Sequence, residues 1–194
     1  MEILSVIYLV YMFISVYILV LFFMIYIKNR KIFFDYPETD KKYTVSFIVP
    51  AYNEEKSIAE TINSIFEIGY PYLLEVIVVN DCSTDNTKEI VKKLLKKYPK
   101  LKLINNLKNL GNAACSQNVG LKIAKGELVA VVDGDSFPEK ESINKMAGYF
   151  DDFKVGAVTC PVLAKNKETF WEKLQAIEYQ VISFGRKLLE YIDA

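Results

Sequence analysis

The chain has 194 residues, with 24 basic and 24 acidic side chains and no histidine. Its zero net charge gives no electrostatic footprint for nucleic acid, and the lack of histidine excludes both a histidine base and a histidine metal site. Hydrophobic residues make up 52% of the chain, high for a purely soluble domain, and the excess sits at the amino end.

Ile3 to Ile27 reads ILSVIYLVYMFISVYILVLFFMIYI, without one charge. A helix of that length crosses a hydrocarbon core of ~30 Å. It is too long for a signal-peptide core, and no small-residue cleavage site follows it. The competing expectation is a buried helix of a soluble protein. Lys28, Arg30 and Lys31 follow at once, so the positive-inside rule predicts a single-pass cell-membrane protein, amino terminus outside and the rest in the cytoplasm. Tyr8 and Tyr26 suit the two interfaces and would equally suit a core. The boundaries expected are a membrane helix with its flank over 1–28, a juxtamembrane linker over 29–43, polar and broken by Pro37, and a domain over 44–194.

Apolar runs then alternate with helical patterns. VSFIV (Val45–Val49) precedes a helix with Ile58, Ile62, Ile65 and Phe66 on one side. VIVVN (Val76–Asn80) precedes a helix with Ile90, Val91, Leu94 and Leu95, for which Ser83, Thr84 and Asp85 are candidate caps. LKLIN (Leu101–Asn105) leads to a small-residue helix from about Gly111 to Ala124, closed by Gly126, and LVAVVD follows. Strands apolar on both faces, alternating with helices, predict an α/β fold: a mostly parallel sheet covered by helices on both faces. The segment FWEKLQAIEYQVISFGRKLLEY places Phe170, Leu174, Ile177, Val181, Phe184 and Leu188 at helical spacing. That stripe suits a membrane surface or packing on the sheet. Cys82, Cys115 and Cys160 lie far apart without a CxxC pair, which points to reduced thiols rather than a disulfide framework or zinc site.

In such sheets ligands gather at the carboxyl ends of the strands. Here the first strand ends in PAYNE, the second in NDCSTD and the fourth in DGDS. Turn formation explains any one of these clusters; three on one edge point to a site. Asp133 and Asp135, one residue apart, repel each other with no lysine or arginine beside them. A divalent cation with oxygen ligands, shared with substrate phosphates, would resolve the repulsion, while a solvated Asp-Gly turn is the plainer alternative. Neither GxxxxGKS nor GxGxxG occurs.

Four blocks in order, VSFIVPAYNE, VIVVNDCSTDNT, NLGNAACSQNVGLKIAKGE and VAVVDGDSFP, make the chain resemble glycosyltransferase family 2, with its Rossmann-like GT-A fold, over roughly Val45 to Pro161. The resemblance implies a nucleotide-sugar donor, by family habit a UDP-sugar, with Mg2+ or Mn2+, and an inverting transfer. It implies that Pro50, Tyr52 and Glu54 line the base and ribose pocket, that Asp81 accepts a hydrogen bond from the base, that Asp133 faces the nucleotide sugar or the metal, and that Asp135 binds the metal. Asn80 replaces an acid frequent in the family, Cys82 stands where glycine is common, and Asn112 and Gln117 stand where many relatives carry a basic residue, which leaves charge support for the diphosphate in question. The amino-terminal helix and the Phe170 segment resemble membrane-bound members that make cellulose, hyaluronan or poly-N-acetylglucosamine, and related glycolipid enzymes, so the acceptor expected is a lipid or polysaccharide.

The family's later acidic motif (TED or similar) and QxxRW helix are not found, and Glu178 and Glu190 are explained by exposed helix faces. The catalytic base is therefore unassigned and expected beyond Ala194. The expectation is a donor-binding portion of a longer glycosyltransferase. Its alternative is a nonenzymatic, membrane-tethered nucleotide-sugar binding or partner protein, completed by a second polypeptide. A membrane-anchored nucleotidyltransferase is the third, disfavoured by PAYNE and NDCSTDNT.

Overall fold

The computed structural model describes residues 2–192. Three β-branched, apolar runs and the LVAV segment form one parallel sheet of order β3-β2-β1-β4, with β1 at Val45–Ala51, β2 at Leu73–Asn80, β3 at Leu101–Asn105 and β4 at Leu128–Val131. Alternation along the strands divides the core in two. Val45, Phe47, Val49 and Ala51 of β1, with Val76 and Val78 of β2, pack with Ile58, Ile62 and Ile65 of α2 (Ile58–Glu67) and Val91 of α3 (Thr87–Leu95). Ile48, Ile77 and Val79 point the other way, toward Val119 of α4 (Ala113–Leu121) and Ala124. Helices thus cover both faces, as the alternating pattern predicts.

Four local expectations are revised. β2 begins at Leu73 rather than Val76, because Glu75 is carried inside the sheet at 2% exposure. Its carboxylate accepts from Ser46 Oγ at 2.8 Å, from the Lys125 N–H at 2.8 Å and from Lys102 Nζ. Burial alone would push the Glu75 carboxyl up; these donors outweigh it and hold its pKa below the usual glutamate value. Second, β4 is not buried on both faces. It pairs only with β1 among the described residues, and Val129 and Val131 remain 38% and 48% exposed. Third, Gly126 does not close α4. It sits at the entry to β4, where a Cβ would lie 2.5 Å from the Ser46 nitrogen, and its N–H donates to Ser46 Oγ. Fourth, α3 starts at Thr87, and Ser83 and Thr84 are not its caps.

The chain divides into two compact units. One is Pro37–Gly156, with the sheet, α5 (Ser142–Ala147) and a 3-10 turn at Gly148–Asp151. The linker expected over 29–43 is pinned there at its far end. Tyr43 Oη donates to Asp151 Oδ1 at 2.7 Å, Tyr70 Oη donates to the Tyr43 carbonyl at 2.7 Å, and Gly148 packs on the Pro37 carbonyl so closely that a Cβ would stand 1.8 Å from its oxygen.

The other unit is the described part of Met1–Tyr36 and Ala157–Ala194. α1 (Glu2–Asn29) is, among the described residues, the one helix long and apolar enough to cross a membrane, and its apolar side chains are largely exposed. α6 (Phe170–Leu189) opens on a capping box: Thr169 Oγ1 accepts from the Glu172 N–H, and the Glu172 carboxylate accepts from the Thr169 N–H. Ile25, Phe33 and Leu188 form this unit's core, and Tyr26 stacks edge-on against Phe33 with centroids 5.6 Å apart. Tyr26 thus belongs to packing. Of the predicted α6 stripe only Leu188 is buried; Phe170, Leu174, Ile177, Val181 and Phe184 are exposed. The three cysteines are free thiols.

Candidate functional site: a cleft at the carboxyl edge of the sheet

Strand order reverses at β1, with β2 and β3 on one side and β4 on the other. The crevice beyond the strand ends at such a point is where open α/β sheets take ligands. A cavity of about 460 Å3 lies there, lined by Pro50, Tyr52, Glu54, Asp81, Asp133 and Asp135 together with the start of α4. All six residues singled out in the sequence therefore meet in one place, although the chain separates the first from the last by more than half of the sheet unit.

The loops are held in register by side chains rather than by more sheet. Asn53 adopts φ +57° after β1, and its N–H donates to Ser83 Oγ at 3.0 Å while its Oδ1 accepts from the Thr84 N–H at 2.8 Å. The Glu54 N–H donates to Thr87 Oγ1 at 2.8 Å, and the Glu55 N–H to Asp85 Oδ2 at 3.0 Å. Of the predicted helix caps, Ser83 and Thr84 are thus spent stitching the β2 loop to the β1 loop, while Asp85 serves both loop and helix, its Oδ1 accepting from the N–H of Thr87, the first residue of α3, at 3.0 Å. Burial would push the Asp85 carboxyl up, but the hydroxyl and N–H of Thr87 and the Glu55 N–H hold it below the usual value. Cys82 takes φ +58°, the left-handed region that glycine enters freely; its Sγ donates to the Asn106 carbonyl at 3.0 Å. Asn80 donates through Nδ2 to Asn105 Oδ1 and accepts from the Ser83 N–H.

Asp81 is 5% exposed. Its carboxylate accepts from Asn106 Nδ2 at 2.7 Å and from the Leu110 N–H at 3.0 Å, so it also anchors the loop before α4. A carboxylate has about four acceptor positions, which leaves room for another donor. Gly134, between the two acids after β4, lies where a Cβ would meet Glu54 Cγ at 2.9 Å, and its carbonyl accepts from Thr61 Oγ1 at 2.8 Å. The Asp133-Gly134-Asp135 turn is thereby pressed against the β1 loop. Glu54 Oε2 accepts from Ser57 Oγ at 2.7 Å.

Asp133 and Asp135 are exposed, and neither carboxylate has a hydrogen bond or ion pair among the described residues. The lining carries four carboxylates and no lysine or arginine. Free carboxylate oxygens suit a hard divalent cation. Among the described residues no cluster of three acidic, cysteine or histidine side chains forms, so the pair would need ligand phosphate and water to complete a coordination shell. The sequence did not single out Asn109, Gly111, Ala113 or Ser116, which also line the cavity. They lie within the block NLGNAACSQNVGLKIAKGE, and their physical signal is the run of small residues that lets α4 approach the sheet, where Gly120 sits against Ile48.

Over residues 46–193 the chain matches the family profile described as Glycosyl transferase family 2. It is 43% identical over 108 residues to the poly(ribitol-phosphate) beta-N-acetylglucosaminyltransferase TarS of Staphylococcus aureus, covering 55% of this chain and 19% of that protein. It is 34% identical over 142 residues to the poly-beta-1,6-N-acetyl-D-glucosamine synthase of Staphylococcus epidermidis, covering 71% of this chain and 33% of that one. Among solved structures it resembles the mannosyltransferase PcManGT of Pyrobaculum calidifontis in complex with GDP-Man and Mn2+, with TM-score 0.61, 31% identity and coverage of 72% of this chain and 43% of the other. S. aureus TarS 1-349 in complex with UDP-GlcNAc gives TM-score 0.53 and 36% identity, with 64% and 38% covered. The chain spans a third or less of the length of these two curated relatives. With the parallel α/β sheet, the cleft at its reversal point and the matched motifs in place, this chain belongs to glycosyl transferase family 2.

Proposed function

We propose that the cleft binds a nucleotide-diphosphate sugar, a UDP-sugar by preference, together with Mg2+ or Mn2+, and that the chain serves hexosyl transfer to a lipid or polysaccharide acceptor at a membrane. The observation that carries this is the convergence of Pro50, Tyr52, Glu54, Asp81, Asp133 and Asp135 on one cavity. Pro50, Tyr52 and Glu54 take the base and ribose. Asp81 accepts from the base with the acceptor capacity that Leu110 and Asn106 leave free. Asp133 and Asp135 hold the cation, which when bound offsets charge on the diphosphate leaving group. The solved relatives bound to GDP-Man with Mn2+ and to UDP-GlcNAc support the donor class. Relatives named as a polysaccharide synthase and as beta-monoglucosyldiacylglycerol synthase support both acceptor classes. α1 anchors the chain, with the sheet unit on the side of Lys28, Arg30 and Lys31, the cytoplasmic side. General base work needs a carboxylate at the acceptor hydroxyl, and no described residue is assigned to it.

The test is calorimetry of UDP and GDP on the full chain in detergent, with and without Mn2+ or Mg2+. The metal tightens binding of one of the two. Asp135→Asn loses that gain, by about tenfold or more, since even an outer partner of a metal ligand is worth that much, while circular dichroism stays as in the wild type. Metal-independent binding would overturn the role of the acid pair.

A further inference from the structure

The cleft presents a surplus of negative charge to a ligand that is itself an anion. A cation on Asp133 and Asp135 offsets part of it, and no basic side chain lines the remainder. The positive potential left in the lining is the start of α4. Gly111, at φ +83°, turns the chain into the helix, and Asn112 Oδ1 caps it by accepting from the Cys115 N–H at 2.9 Å. The N–H group of Ala113, in the lining, has no partner inside the helix, and the helix dipole adds to its pull on an anion.

A second observation stands apart from the helix end. Ser116, on the first turn of α4 and in the cavity lining, is 1% exposed, and its Oγ has no hydrogen-bond partner among the described residues. A helical serine ordinarily satisfies itself on the carbonyl four residues back; this one does not. Buried hydroxyls without partners are rare and destabilising by about 1–3 kcal/mol. By contrast, the hydroxyls of Ser57, Thr61, Ser83, Thr84 and Thr87 in the cleft's loops are bonded. A buried hydroxyl that is unpaired among the described residues and lies in a ligand cavity's lining is a donor available to a ligand.

We propose that the first turn of α4, through the Ala113 N–H group and the Ser116 hydroxyl, holds a phosphate oxygen of the donor's diphosphate. The assignment rests on the donor-site function above. It answers how a cleft with Asn112 and Gln117 in place of basic residues supports a diphosphate: neutral donors on a helix end take the part of a cationic side chain. A sugar hydroxyl is the weaker occupant, because the four carboxylates already offer it acceptors, whereas a phosphate oxygen accepts only.

The experiment compares nucleoside diphosphates with nucleosides on the full chain in detergent with Mn2+. UDP and GDP are titrated by calorimetry, and uridine and guanosine are followed by saturation-transfer NMR. Ser116→Ala weakens the accepted diphosphate about tenfold, the scale of one hydrogen bond to a charged group, and leaves nucleoside binding unchanged. Ser116→Cys, close in volume and a weak donor, gives the same loss. The ligand-free melting temperature of Ser116→Ala stays level or rises, since an unpaired buried hydroxyl has been removed. Equal diphosphate affinity in wild type and variant overturns the assignment while the donor site stands. So does a loss shared equally by nucleoside and diphosphate, or a lowered melting temperature, either of which places the hydroxyl in the fold. A wild-type chain that binds neither UDP nor GDP overturns the donor site, and this assignment with it.

Discussion

Replacing Glu75 with leucine tests how the sheet unit is held together. The side chain joins Ser46 of β1, Lys102 of β3 and the backbone of Lys125, all on the α4 face. In Glu75→Leu the Ser46 hydroxyl proton loses its acceptor, and the Lys125 N–H keeps only a longer bond to Ser46 Oγ at 3.3 Å. Each orphaned buried donor costs about 1–3 kcal/mol. Lys102 is half exposed and turns to water at little cost. The leucine recovers about 1 kcal/mol of apolar burial. The net loss is about 2 kcal/mol, or about 1 M in urea midpoint for a slope near 2 kcal/mol per M. Circular dichroism is the probe, because Trp171, the single tryptophan, lies in the other unit. Acid supplies a second readout. A carboxyl with a depressed folded pKa gives stability that is full above its unfolded value, here 4.5, and is lost as pH falls through the lower folded value. Below pH 4.5 the wild type therefore loses stability more steeply than Glu75→Leu. A variant midpoint within about 0.3 M of the wild type, or the same acid slope in both, would refute this account.

Two further substitutions probe backbone geometry. Cys82→Gly removes the left-handed strain at φ +58° but also the Sγ contact to Asn106, so thermal melts should find it neutral to stabilising by about 1 kcal/mol; a marked loss would mean that the thiol contact outweighs the strain. Gly148→Ala places a Cβ 1.8 Å from the Pro37 oxygen, so Pro37–Tyr43 must detach or the 3-10 turn must shift, and limited proteolysis should cut within Pro37–Tyr43 faster than in the wild type; an unchanged cleavage pattern would mean the turn yields instead.

Much of this architecture is legible because β-branched apolar runs and 3.6-residue periodicity are local signals. VSFIV and LKLIN mark their strands well, and the acid pair after β4 declares itself by its own repulsion. What escapes a reading of the sequence depends on partners distant along the chain. Nothing near Glu75 indicates that Ser46, Lys102 and Lys125 receive its charge, so the pattern starts β2 too late. Gly126 has the form of a helix stop and serves instead as a close contact with Ser46. Ser83, Thr84 and Asp85 satisfy the chemistry of a helix cap equally well, and only the folded loops show that Asn53 claims the first two while Asp85 bonds both Glu55 and the start of α3. Ser116 has no sequence signature at all, because its distinguishing property is a bond it does not make.

β4, one of the sheet's two edge strands, spans four residues, is hydrogen-bonded along one side only among the described residues, and leads into the turn that holds Asp133 and Asp135. A segment that paired with the open flank would restrain β4 and, through it, the turn that holds both carboxylates; if the proposed cation role holds, cation affinity would then report whether that flank is occupied.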